Sequence, residues 1–164
     1  MKKIIILSLL FSTVFLLFSC KGEDCCMSKD LIRTNLVLSL VDKHQNDLLY
    51  PAYEHAYKAE NIHLYYVNDH IPTKVYNPNS DYPKGFFIFT KNQNEFGIQI
   101  SLNNQKTNNK SRTIINWSQT IIDTIDVEFN TSNEIQKLWI NNKESWKRTN
   151  SNENIIYLTL IKEK

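Results

Sequence analysis

Apolar residues recur at every second position through most of this chain. In "NLVLSLV" (35–41), Leu36, Leu38 and Leu40 share one face; in "IHLYYV" (62–67), Ile62, Leu64 and Tyr66 do the same. "PTKVYN" follows a short Asn68-Asp69-His70 turn and reads as the second arm of a hairpin. "KGFFIFT" (84–90) and "EFGIQISL" (95–102) continue the pattern, the latter with Phe96, Ile98, Ile100 and Leu102 on one side. "RTIINW" (112–117) precedes "IIDTIDVEF", in which Asp123, Ile125, Val127 and Phe129 oppose Thr124, Asp126 and Glu128. "EIQKLWI" and "KESWK" flank Asn141-Asn142, a pair suited to a two-residue turn with positive φ at both centres. "NIIYLTLI" (154–161) closes the series. Period two is the mark of strands with one buried face.

No segment of ten or more residues carries a helical stripe. "YPAYEHAYKAEN" (50–61) has room for one short turn of helix. The pattern therefore predicts an all-β fold: a single antiparallel β-sandwich, Ig-like or similar, of about eight or nine strands. Glycine is scarce, with three in the chain, so Asn and Asp are expected to make the turns.

The start of the chain is different. Met1-Lys2-Lys3 leads into the apolar run from Ile4 to Phe18, fifteen residues long. A spanning helix needs about 20 apolar residues, whereas a basic start and a shorter apolar run suit an export signal. The run ends Leu17-Phe18-Ser19-Cys20, which resembles the lipobox of bacterial lipoproteins. That resemblance implies a signal peptide over 1–19 and lipidation of Cys20 as the first mature residue. It also implies attachment to a membrane through acyl chains, more than one being needed for stable anchoring. The polar stretch 20–34 reads as a lipidated flexible tether before a sandwich domain over 35–164. Cys25 and Cys26 fall in this tether and read as incidental thiols, since they lack C-x-x-C spacing and a second ligand pair.

Several segments resemble a group of small Bacteroidetes-type lipoproteins of unknown function. They are "VDKHQNDLLYP", "YNPNSDYPKGFFIF", "TIINWSQTIIDTIDVEF" and "KLWINNKESWK". The shared pattern runs D-K-x-x-x-D-L-L, T-I-x-x-W, D-T-I and a late tryptophan hairpin. The resemblance bears on fold and implies a location in the cell envelope, outer membrane included; it points to no particular activity. This chain departs from it at Gln45 and Asn142, where the group has Gly, so both positions bear on turn geometry. Lys21-Gly22-Glu23-Asp24 loosely resembles an acidic surface-export signal, which leaves periplasmic-facing and cell-surface placements both open. "DTI" (123–125) resembles a short O-glycosylation pattern that would place a sugar on Thr124.

Charge is close to balanced. The chain carries 19 basic and 17 acidic residues. Loss of Lys2 and Lys3 with the leader makes the two counts equal, so nothing points to nucleic acid as a partner.

The candidate chemistry is thin. "DKHQND" offers Asp42, His44, Asn46 and Asp47, but His44 and Asp47 break the calcium-loop pattern, and a self-bonded turn explains the residues. His44, His55, His63 and His70 lack metal-ligand spacing. Asp126 and Glu128 lie about 7 Å apart along one strand face, as a solvated sheet face would have them. No metal, cofactor or catalytic residue is expected.

One compositional feature stands out. Seven of the eight tyrosines fall between Tyr50 and Tyr82. Tyrosine joins an apolar face to a polar tip and suits binding surfaces. Tyr50, Tyr53, Tyr57, Tyr76 and Tyr82 are therefore the candidate ligand surface, for a glycan or a protein. The expected function is that of a non-enzymatic, membrane-anchored binding module. An envelope-acting enzyme or inhibitor, and a purely structural envelope protein, are the alternatives.

Overall fold

A computed structural model describes residues 34–149 and 155–163. Cys20, Cys25, Cys26 and the leader lie outside the described residues. Ten strands follow one another: β1 (Asn35–Asp42), β2 (His63–Asn68), β3 (Ile71–Lys74), β4 (Phe86–Asn92) and β5 (Glu95–Ser101), then β6 (Lys110–Asn116), β7 (Ile122–Phe129), β8 (Ile135–Ile140), β9 (Lys143–Lys147) and β10 (Ile156–Lys162). They form a four-stranded sheet, ordered β10-β1-β5-β4, and a six-stranded sheet, ordered β3-β2-β6-β7-β8-β9. The fold is an all-β sandwich.

The strand count is ten rather than eight or nine, and one pair is not antiparallel. β1 and β10 run parallel, with Leu36 opposite Ile156 and Asp42 opposite Lys162. Alternation assigns a strand's face but carries no information on the direction of its neighbour. A parallel pair needs a long crossover, and the crossover here is nearly the whole domain. The 50–61 segment forms successive turns in place of a helical one: Tyr53 N–H donates to Tyr50 O, and Ala56 N–H to Tyr53 O.

The core is the set of inward positions expected from period two. Leu36, Leu38 and Leu40 of β1 face Leu64, Ile115, Ile125, Val127 and Leu138 of the other sheet within one buried cluster. β7 alternates without a break, its odd-numbered residues buried and its even-numbered ones open. Leu48, Leu49, Tyr57 and Trp117, from the connections, complete the cluster. Burying a side chain of this size is worth about 1.5–3 kcal/mol, so the strand register is strongly specified.

Turns fall to Asn and Asp, as the shortage of Gly predicts. Asp69-His70, Asn108-Asn109 and Asn141-Asn142 each have positive φ at both positions. These are two-residue hairpin turns that match the twist of their flanking strands. The β2–β3 turn is thus Asp69-His70, with Asn68 still in β2. Gln45, at φ 66°, ends a three-residue loop in which Gln45 N–H donates to Asp42 O and Asp42 N–H to Asn46 O. That loop is a type I turn followed by a left-handed residue, a position glycine favours.

Candidate functional site

Two acidic residues prove to be structural. Asp42 Oδ1 accepts from the backbone N–H groups of His44 and Asn46, at 2.8 and 2.9 Å. Its Oδ2 accepts from Asn46 Nδ2 and from the Tyr53 hydroxyl, both at 2.8 Å. The Asn46 side chain leads these bonds, which outweigh the cost of burial and hold the Asp42 carboxyl well below its usual range. Asp47 holds Leu49 N–H with one oxygen and Phe96 N–H with the other. The "DKHQND" loop is therefore a self-bonded turn stitched to β5.

Asp123 is buried at the end of the core. Trp117 Nε1 donates to it at 2.6 Å and Asn141 Nδ2 at 2.7 Å, while Lys162 of β10 reaches it from the opposite sheet. Burial pushes its carboxyl up, yet the bonds from Lys162, Asn141 and Trp117 win and leave it lowered. Trp117, Asp123 and Asn141 come from three separate stretches of sequence and meet in one network.

The tyrosines do not form one surface. Tyr57 is 5% exposed and packs its ring 5.7 Å from that of Trp117, so it belongs to the core and not to a ligand face. The loop that carries it folds back over the sandwich, with Tyr57 N–H donating to Leu48 O. Tyr53 spends its hydroxyl on Asp42, and Tyr50 stacks on Phe96 at 5.7 Å. These two border a hollow beside the four-stranded sheet. Tyr82 stacks on Phe87 at 4.2 Å, and Tyr76 points outward. Thr124 lies on the open face of β7, its N–H donating to Asn141 Oδ1 at 2.9 Å.

His44, His55 and His70 are exposed; His63 is half-buried. Burial, helped by Lys74 and Lys84, lowers the His63 pKa, and its Nδ1 has no hydrogen-bond partner among the described residues. Among the described residues no three His, Cys, Asp or Glu side chains gather as a metal would require.

A second open site lies on the outer face of the six-stranded sheet. Register places Val67 of β2 opposite Arg112 of β6, Arg112 opposite Asp126 of β7, and Asp126 opposite Trp139 of β8. Four side chains thus form a row across four strands, roughly 14 Å long at sheet spacing. The row floors a groove of about 490 Å³, bordered by His70, Gln105, Lys110 and Asn142. Arg112 grips Asp126 in two places, Nε to Oδ1 at 2.7 Å and Nη2 to Oδ2 at 3.0 Å. The half-buried Trp139 ring has Lys110 Nζ and Lys137 Nζ at 5.8 and 5.9 Å from its centroid. Glu128, the neighbour of Asp126 on this face, pairs with Lys110 at 3.7 Å.

The tyrosine hollow also carries polar side chains with no hydrogen bond among the described residues, Gln45 and Asn94, but it has no tryptophan in its lining. There the hydroxyl of Tyr53, the amide of Asn46 and the ammonium of Lys91 are all held by internal partners. In the groove, the side chains of His70, Gln105 and Asn142 make no hydrogen bond among the described residues. Trp139 escaped sequence reasoning because an outward residue of an alternating strand looks like any other. The signal lay in the partner strands: only with register known do Arg112, Asp126 and Trp139 become neighbours. The site is an open groove on the outer face of the six-stranded sheet. No protein-family model, curated protein or solved structure matches this chain.

Proposed function

We propose that the chain is a lipoprotein held in the cell envelope by acyl chains on Cys20, and that its sandwich is a non-enzymatic binding module. The anchor rests on the basic start, the short apolar run and Leu17-Phe18-Ser19-Cys20. The observation that carries the binding role is the groove over Trp139: an aromatic face, a fixed ion pair and uncommitted polar groups on one sheet. Tryptophan and arginine are the residues that most often dominate recognition. Display toward the periplasm or on the cell surface from the outer membrane suits such a module. Thr124, on the same sheet face, is the proposed glycan acceptor. Cys20→Ala tests the anchor: it should abolish fatty-acid labelling and move the protein out of the membrane fraction. Retention of the label would remove this reading.

A further inference from the structure

We propose that the groove over Trp139 binds the ring of an uncharged saccharide, with the Arg112–Asp126 pair gripping adjacent hydroxyl groups. This rests on the binding-module reading and names the ligand class. A sugar ring presents an apolar C–H face, weakly positive, which packs on the negative face of an aromatic ring. Its edge carries hydroxyls that donate and accept at once. Asp126 lies across the ladder from Trp139, and such cross-strand side chains stand about 5 Å apart. A ring seated on Trp139, in place of the Lys110 and Lys137 ammonium groups that lie 5.8 and 5.9 Å from its centroid, brings its hydroxyl edge over Asp126.

The ion pair is prepared for that edge. Arg112 uses Nε and Nη2 on the two carboxylate oxygens, which leaves guanidinium donors and carboxylate lone pairs to spare. One hydroxyl can donate to Asp126 while its neighbour accepts from Arg112. The pair is already fixed by internal bonds, so little side-chain freedom is lost on binding. Gln105 and Asn142 stand at the rim for further hydroxyls.

Charge argues against an acidic ligand. Lys110, Arg112 and Lys137 around the groove are matched by Asp69, Asp126 and Glu128. Lys110 also leans on Glu128. Such a balanced lining gives little attraction to a polyanion. A protein partner would need about 800 Å² of surface on its side, far more than this row offers.

The test uses the full chain in a detergent without sugar groups, followed by NMR of the tryptophan indole N–H signals. Neutral oligosaccharides of glucose, galactose, mannose and N-acetylglucosamine are titrated in, with polygalacturonate as the acidic probe and a digest of envelope proteins as the peptide probe. A neutral member of the set should shift the Trp139 signal saturably and with little dependence on salt. The buried Trp117 signal should stay in place and report an intact fold. Trp139→Ala, with Trp117 as its folding control, and Arg112→Met should each weaken affinity at least tenfold. The proposal is overturned by full affinity in Trp139→Ala, by no neutral saccharide binding, or by binding of polygalacturonate alone. If peptides shift Trp139 and saccharides do not, the binding module stands and the ligand class falls. If no probe moves Trp139, both fall.

Discussion

Trp117 donates its indole N–H to Asp123 at 2.6 Å, and the same carboxylate oxygen receives the Lys162 ammonium from the other sheet. Among the described residues this is the ion pair that joins the two layers. It is also the place where β10, last in sequence, is tied to β7. Removing one member of a buried pair leaves the other uncompensated. Asp123→Asn should therefore cost about 3–5 kcal/mol, read as a lower denaturation midpoint at unchanged slope.

The same carboxylate makes stability depend on pH in a defined direction. Its folded pKa lies below the unfolded value of 3.8. Its contribution is thus complete above that unfolded value and is lost as pH falls through the folded one. Asp42 acts in the same sense. Acid titration of the wild type should show stability falling only below about pH 4, and Asp123→Asn should flatten part of that fall.

Adjacent residues on β8 should respond very differently. Leu138 is fully buried, whereas its neighbour Trp139 lies on the open face. Leu138→Ala should cost about 2–5 kcal/mol through the cavity it leaves. Trp139→Ala should cost about 1 kcal/mol or less, as an outward substitution does. Thermal unfolding of the two variants checks the register directly, because a slip of one residue would exchange the two results.

Gln45 holds φ 66° at the end of the β1 turn. A non-glycine residue there costs about 1–2 kcal/mol, partly offset by the extra chain entropy that glycine brings to the unfolded state. Gln45→Gly should therefore stabilise by about 0.5–1 kcal/mol. Asn142→Gly, also at φ 66°, should gain less, since Asn tolerates this region. Melting curves of both variants rank the effects.

How far the sequence disclosed this fold depends on which physical signal was local. The face of each strand was legible: β7 buries Asp123, Ile125, Val127 and Phe129 just as alternation requires. The left-handed turns at Asn141-Asn142 were legible from residue type alone. Pairing was not, because alternation is blind to strand direction, and so the parallel β1–β10 contact was missed. The tyrosine cluster misled for a related reason. Nearness in sequence does not make a surface when the 50–61 segment folds inward and buries Tyr57. Asp123 looked like one more residue on a β7 face. Only the fold shows that Trp117, Asn141 and Lys162 converge on it.

On the proposed reading, the outer face of the six-stranded sheet is the surface that meets a ligand in the envelope. Hydroxyl-radical footprinting of the full chain, in isolated envelopes and purified in detergent, measures this side chain by side chain. Trp139 and Lys110 should be protected in envelopes, while Tyr82 and Phe87 should react equally in both. Equal reaction at Trp139 in the two preparations, or protection confined to Tyr82 and Phe87, would contradict it.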